Sequence, residues 1–250
     1  MKYSICFSGH MRTYEICLKS VFLQDLLNNA NKIYVSTWEE EDAVNNGNYL
    51  PCYPSKQKTI STDLDKIKNL YKTDNVKIFS YPIYENKYTV HNGLNFGKFE
   101  SFLNMHYLIK ECYQMVNDDS EIIIRIRPDV FVTQPIKIIN DLLTFPKAGF
   151  LDGRLSPTDT FFYGNKKFMD MASSFYNFSD KYILSYQLNN WHERTFLKFL
   201  NDHKIPFLFQ GDIKYQIVRH DFNHDTLGFY DDNGNLEIIK INKLLNNKII

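Results

Sequence analysis

Residues 121–132 read EIIIRIRPDVFV, and few folds can house that run. The apolar residues predict a central strand. In an extended chain residues two apart share a face, so Ile122, Ile124 and Ile126 point one way and Arg125, Arg127 and Asp129 the other. Charges in so apolar a strand are costly to bury without partners. Two readings follow. The charges satisfy one another or a nearby acid as part of the scaffold, or they stand at the ligand-facing end of the strand. Pro128 has no ladder donor, so the strand is expected to end or turn irregular there. Asp129 then sits at a loop mouth, where a carboxylate can hold a metal ion or a ribose hydroxyl.

The chain around this strand alternates. Residues 2–8 predict a buried strand, residues 13–29 a helix and residues 32–37 a second strand. This β-loop-α-β opening argues for an α/β fold with a mainly parallel central sheet flanked by helices. Residues 39–62 are polar and read as a long surface excursion, and residues 84–97 as an aromatic-rich irregular loop. Helices are predicted over 63–71, 99–117, 165–177 and 191–203. Strands are predicted over 76–80, 149–151, 159–163 and 206–210. Asp231-Asp232-Asn233-Gly234-Asn235 signals a hairpin turn between residues 227–230 and 236–241. No internal repeat or Pro/Gly/Ser linker divides the 250 residues, so a single domain is expected. Residues 212–250 receive no role.

Net charge is zero, with 29 basic and 29 acidic residues, which argues against a nucleic-acid partner. No apolar run approaches the roughly 20 residues that span a bilayer, and Met1-Lys2 leads directly into a strand. No transmembrane segment and a cytoplasmic location are expected, with a peripheral position at a membrane-bound acceptor left open. Cys6, Cys17, Cys52 and Cys112 have no metal-finger spacing and read as free thiols. Aromatic residues make up 16%, enough to fill a core or to line a carbohydrate- or base-binding cleft.

Other segments can carry chemistry. Ser8-Gly9-His10-Met11-Arg12 lies at the carboxyl end of the first strand and opens a helix, where α/β sheets bind ligands. Gly9 allows close backbone approach, and Arg12 with the helix start favours a diphosphate. No Gly-Lys-Ser/Thr follows, and one glycine does not make a dinucleotide fingerprint. The plainer reading is a tight turn with an exposed arginine. Asp159, beside the aromatic run Phe161-Phe162-Tyr163, suits sugar hydroxyls, or is a turn residue. Glu193, three residues after Asn190, either closes a capping box or serves as general base for an acceptor hydroxyl. His106 reads as a packed helix residue. His220-Asp221 and His224-Asp225 have the chemistry of metal ligands without confirming spacing.

Taken in order, FSGHMRTYE (7–15), KIYVSTWEE (32–40), IIIRIRPDVFV (122–132) and DTFFYGNKKFMDM (159–171) followed by HERTFLKFL (192–200) resemble a group of GT-A-like glycosyltransferases of polysaccharide gene clusters and large viruses. The resemblance implies a GT-A-like α/β fold, with a Rossmann-like nucleotide-sugar-binding half over about residues 1–132 and an acceptor-side half over 133–250. It implies transfer of a sugar from a nucleotide-sugar donor to a glycan or lipid-linked glycan. Donor contacts would come from Ser8, Gly9, His10, Arg12, Arg125, Arg127 and Asp129, and catalytic roles from Asp159 and Glu193. Such enzymes carry Asp-x-Asp for Mn2+ or Mg2+ at this strand end. Here Asp129 alone stands before Val130-Phe131. Asp129 is thus the one candidate metal ligand at this strand end, and Arg12, Arg125 or Arg127 neutralising the diphosphate without a metal is the alternative. Two other classes also remain open: a phosphoryl- or nucleotidyl-type transferase acting on polysaccharide, and a non-catalytic carbohydrate-binding domain.

Overall fold

A computed structural model describes residues 1–40, 61–80, 96–147, 157–189, 192–220, 226–230 and 236–240. In chain order the elements are β1 (Tyr3–Ser8), α1 (Tyr14–Cys17), α2 (Val21–Asn28), β2 (Ile33–Trp38), α3 (Leu64–Tyr71), β3 (Val76–Phe79), α4 (Phe96–Gln114), β4 (Ile122–Ile126), β5 (Val130–Val132), β6 (Leu143–Pro146), β7 (Phe161–Asn165), α5 (Lys166–Ser173), α6 (Phe175–Asn189), α7 (His192–Asp202), β8 (Phe207–Gln210), β9 (Tyr215–His220), β10 (Thr226–Tyr230) and β11 (Leu236–Lys240).

Seven described strands form the main sheet in the order β3-β2-β1-β4-β7-β6-β8. Its first four strands run parallel, as the alternating opening requires. β7 pairs antiparallel with both β4 and β6, and β8 returns parallel to β6. The fold is therefore α/β with a mostly parallel sheet and flanking helices. The antiparallel turn-over matters for the site. Ile126 at the end of β4 is in register with Phe161 at the start of β7, so the residues that follow β4 and those that precede β7 meet at one edge.

Helices cover both faces. On one, Leu103, Ile109 and Cys112 of α4 pack with Met169, Ala172, Phe175 and Phe199 against Cys6 and Ile123. On the other, Tyr14, Leu23, Leu26, Ile67 and Tyr71 pack against Ile5, Phe7, Ile122, Ile124 and Ile126. The alternation expected along residues 122–126 thus divides β4 between the two cores. Much of the aromatic content is core filling: the Phe175 ring lies 5.3 Å from Phe102, 5.6 Å from Phe196 and 5.1 Å from Phe199. His106 is buried in the same group, 4.4 Å from Phe102 and 4.5 Å from Phe175, as a packed helix residue.

Local chemistry sets the element ends. The helix expected over 13–29 breaks into α1 and α2 because Ser20 starts a new one. Its hydroxyl accepts from Leu23 N at 3.2 Å and donates to Val132 O at 2.5 Å. Asp63 caps α3 through Lys66 N, and Asn165 caps α5 through Phe168 N. The helix expected over 165–177 is likewise two, with Ser174 ending α5 and α6 running on to Asn189. The strand expected through residue 132 ends at Ile126, and β5 leaves the main sheet to join a second one, β11-β10-β9-β5. β10 and β11 pair antiparallel on either side of the turn expected at residues 231–235, which lie outside the described residues. β6 was not anticipated, and the strand expected at 149–151 lies outside the described residues.

The ends of the polar excursion are clasped together. Glu40 bridges Ser61, Thr62 N donates to Glu39 O at 2.8 Å, and Thr62 Oγ1 donates to Trp38 O at 2.7 Å. The excursion thus leaves and rejoins the sheet at the carboxyl end of β2. Cys6, Cys17 and Cys112 are buried free thiols, and Cys52 lies outside the described residues. No described helix is long and apolar enough to cross a membrane.

Gly164 shows how tightly the turn-over is packed. A Cβ there would stand 3.1 Å from Leu143 Cα and 3.3 Å from Leu142 O, both backbone atoms that cannot rotate away. Gly164→Ala should therefore destabilise the protein by about 1–3 kcal/mol. A urea-unfolding midpoint equal to wild type would show that β6 and β7 part without cost.

Candidate functional site

β1 ends in Ser8, and Gly9 follows with φ +140°, a conformation that disfavours any side chain. Space is tight as well: a Cβ on Gly9 would lie 3.0 Å from Arg127 Cγ and 3.2 Å from Pro128 Cδ, so these neighbours would have to shift. The glycine is there so that the loop after β1 can lie against the Arg127-Pro128 segment after β4. The two leading sequence motifs are in van der Waals contact, brought together by the parallel pairing of β1 and β4.

Arg127 lies at the centre of the assembled site. Its Nε donates to Asp129 Oδ1 at 2.6 Å, and its Nη1 to Asp159 Oδ2 at 3.3 Å. Its backbone N–H donates to Thr160 O at 2.9 Å, extending the β4–β7 pairing by one step. Asp129 is only 2% exposed, whereas Asp159 and Arg127 are half-buried. Glu193, in the first turn of α7, completes the group. Its carboxyl is held above the usual glutamate value, first by burial and then by repulsion from Asp159, while Arg127 opposes the shift. Two carboxyls thus bond one guanidinium, and that of Glu193 lies within its electrostatic reach.

Arg125 occupies a different position. It is 1% exposed, and its guanidinium lies 5.9 Å from the Phe162 ring centre. Nε donates to Ser8 Oγ and Nη2 to Ser8 O, both at 3.0 Å. Burial lowers its pKa to about 10, and Arg127 adds to the lowering against the attraction of Asp159. It remains charged at neutral pH. Its bonds tie the end of β1 to β4 from inside the protein.

The remaining candidates take separate places. His10 turns toward the end of β2, with Nδ1 3.3 Å from Glu40 O and its ring 6.1 Å from Trp38. Arg12 is half-buried in the loop before α1. Asn190, the proposed cap, lies outside the described residues, as do Asp221, His224, Asp225 and the His220 side chain.

The described residues of the site do not make a divalent-cation cage. Among the described residues no group of three or more His, Cys, Asp or Glu is placed to hold a metal ion. More directly, Asp129 is buried with the Arg127 guanidinium at 2.6 Å, so a cation would have to settle beside a fixed positive charge. Mg2+ and Mn2+ sites instead gather several oxygen ligands around an open position. The residue that would follow in Asp-x-Asp is Phe131, on β5.

Sequence reasoning missed Tyr215. Its hydroxyl hydrogen-bonds Thr160 Oγ1, which lies 2.6 Å from Thr158 Oγ1, so a chain of hydroxyls from β9 reaches both flanks of Asp159. The Tyr215 ring stacks on Phe161, with centroids 6.3 Å apart. Nothing local in the sequence joins residue 215 to residue 159. The paired threonines about Asp159 are the one trace of the contact.

No protein-family model and no curated protein matches the chain. Solved structures similar to it include a glycosyltransferase involved in the glycosylation of the major capsid of PBCV-1, at 10% identity over 84% of this chain and 83% of that one, with a TM-score of 0.42. They also include the glycosyltransferase GlyE of Streptococcus pneumoniae TIGR4, at 8% identity over 85% of this chain and 46% of that one, with a TM-score of 0.41. The chain spans less than half the length of GlyE. At these scores the comparison is a likeness of backbone path, and the functional reading rests on the site.

The raised Glu193 carboxyl has a measurable consequence. Its folded-state pKa lies above the ordinary 4.5, so its favourable contribution is complete below that pH and is lost as pH rises through the folded value. Glu193→Gln keeps a neutral side chain at every pH. The variant should therefore melt above wild type at about pH 8, with the gap closing toward about pH 4. A pH-independent difference in melting temperature would contradict the burial assigned to this carboxyl.

Proposed function

We propose that the chain is a GT-A-like glycosyltransferase that moves a sugar from a nucleotide-sugar donor to a glycan or lipid-linked glycan acceptor. The observation that carries this reading is the convergence, at the carboxyl ends of β1 and β4, of a glycine-opened loop, the Arg127 guanidinium and the carboxyls of Asp129, Asp159 and Glu193. Strand ends of this kind are where α/β sheets bind nucleotides.

In this reading the donor diphosphate lies against the loop of Ser8 to Arg12, with Arg12 and Arg127 supplying positive charge. As the bond from the anomeric carbon to the diphosphate oxygen breaks, negative charge grows on the leaving group, and the fixed guanidinium groups stabilise it. The long Arg127–Asp159 bond, 3.3 Å, leaves that end of the guanidinium able to turn to a second anion. Asp129 keeps Arg127 in place through the shorter bond. The acceptor oxygen bonds to the anomeric carbon as its hydroxyl gives its proton to Glu193 or Asp159. A carboxyl whose pKa is raised toward neutral pH is better matched to taking a proton from a hydroxyl, which favours Glu193 as general base. Asp159 then orients the sugar through its hydroxyls. Mn2+ or Mg2+ has no step here, because the arginines perform the neutralisation.

The test is thermal melting with UDP-, GDP-, CMP- and TDP-linked sugars, with and without Mn2+ or a chelator, on wild type and Arg12→Ala. One nucleotide sugar should stabilise the wild type, by about 2.7 kcal/mol at a hundred times its dissociation constant. The effect should be unchanged by chelator and lost in the variant. Stabilisation by none of them would remove the donor site, and stabilisation by a non-sugar nucleotide alone would turn the reading to nucleotidyl or phosphoryl transfer.

A further inference from the structure

The segment that the sequence left without a role reaches the site through Tyr215. Two independent connections leave this residue. Through its backbone it pairs with Val132 on β5, and the neighbouring Thr133 N donates to Lys214 O at 3.1 Å. β5 begins one residue after Asp129, so this pairing anchors the segment that carries Asp129. Through its hydroxyl Tyr215 bonds Thr160 Oγ1.

The Thr158-Asp159-Thr160 segment is a tight turn held by its own hydroxyls. Thr160 N donates to Thr158 Oγ1 at 3.1 Å, and the two threonine oxygens lie 2.6 Å apart. In an extended strand side chains two residues apart stand roughly 7 Å from one another, so this contact requires the chain to bend at Asp159. The bend sends the two threonines inward, where both are buried, and leaves Asp159 half-buried against Arg127. Tyr215 closes the inner side of the turn. Its ring stacks on Phe161, the next residue of the same segment.

We propose that Tyr215 is a positioning residue: it holds the Thr158–Thr160 turn with its hydroxyl and β5 with its backbone, and so sets Asp159 and Asp129 on either side of Arg127. The second sheet is then a working part of the site, and its strand β9 is the brace that fixes the spacing of the two carboxylates. The hydroxyl is suited to this work, since burial raises its pKa and it stays neutral across the working range of pH. The inference builds on the transferase reading for its effect on rate, but its structural content stands apart from that reading.

Tyr215→Phe tests it, because it keeps the ring on Phe161 and removes one oxygen; Thr160→Val removes the partner oxygen instead. The first readout is amide hydrogen exchange of the folded protein. The Arg127 amide, which bonds Thr160 O, and the Thr160 amide should exchange faster in Tyr215→Phe, while amides in α4 keep their wild-type rates. The second readout is steady-state transfer with the nucleotide sugar identified by melting. The kcat should fall roughly tenfold, as loss of orientation at the reacting centre does, and by more than the donor dissociation constant changes. Thr160→Val should reproduce the fall, and the double variant should show no further loss. Unchanged exchange at both amides overturns the proposal, whatever the activity. Faster exchange with an unchanged kcat also overturns it, because the turn would then move without moving the chemistry. A wild type that transfers no sugar, with faster exchange in the variant, sinks the transferase reading while the brace stands.

Discussion

A guanidinium held between two carboxylates organises one edge of this protein. Arg127 reaches Asp129, two residues further along its own segment, and Asp159, which enters from the strand paired with β4. The first bond is short and faces the interior; the second is longer and lies nearer to solvent. Removing the arginine would leave Asp129 charged and almost wholly buried, a loss that typically costs about 3–5 kcal/mol for a buried pair. The same interaction explains the neighbouring constraints. Gly9 has no side chain because the stem of Arg127 fills that space. Glu193 is difficult to ionise because it is buried and, second to that, because the charge of Asp159 repels it.

Arg125 and Arg127 share a motif and a charge but do different work. Alternation would put both on one face, and the break at Pro128 separates them. Arg125 stays within the pleat of β4, under Phe162, and spends its hydrogen bonds on Ser8. Arg127 lies beyond the last ladder pair and turns to the carboxylates. A buried cation that ties two parallel strands together at their carboxyl ends keeps the loop after β1 in one place, and the shape of a ligand pocket at that loop depends on this.

Much of the fold was legible in the sequence. The apolar run of β4, the β-loop-α-β opening and the hairpin signal at residues 231–235 are short-range patterns, and the structure contains the elements they predict. The failures have local physical causes. One helix became two at Ser20 because its hydroxyl found Val132 O, a contact 112 residues away. The strand through Val132 split because Pro128 and Asp129 redirect the chain into a second sheet. α6 was missed beyond residue 177, where continuation of the helix depends on packing against α4 and α7. Of the candidate residues, Gly9, Arg127, Asp129, Asp159 and Glu193 come together, while Arg125 is buried on Ser8 and His10 turns toward the end of β2.

The sequence by itself determined which residues are chemically capable and which strand ends present them. Period, glycine and proline are properties of adjacent residues, and they act before any tertiary contact forms. Tertiary structure alone decided the partnerships. That Arg127 binds Asp159, that Arg125 is spent on Ser8, and that Tyr215 braces the Asp159 turn all follow from strand order and register. The antiparallel placement of β7 beside β4 puts residue 159 beside residue 127, and the pairing of β9 with β5 brings residue 215 to both. Such pairings are set by the packing of whole sheets, and no window of neighbouring residues encodes them.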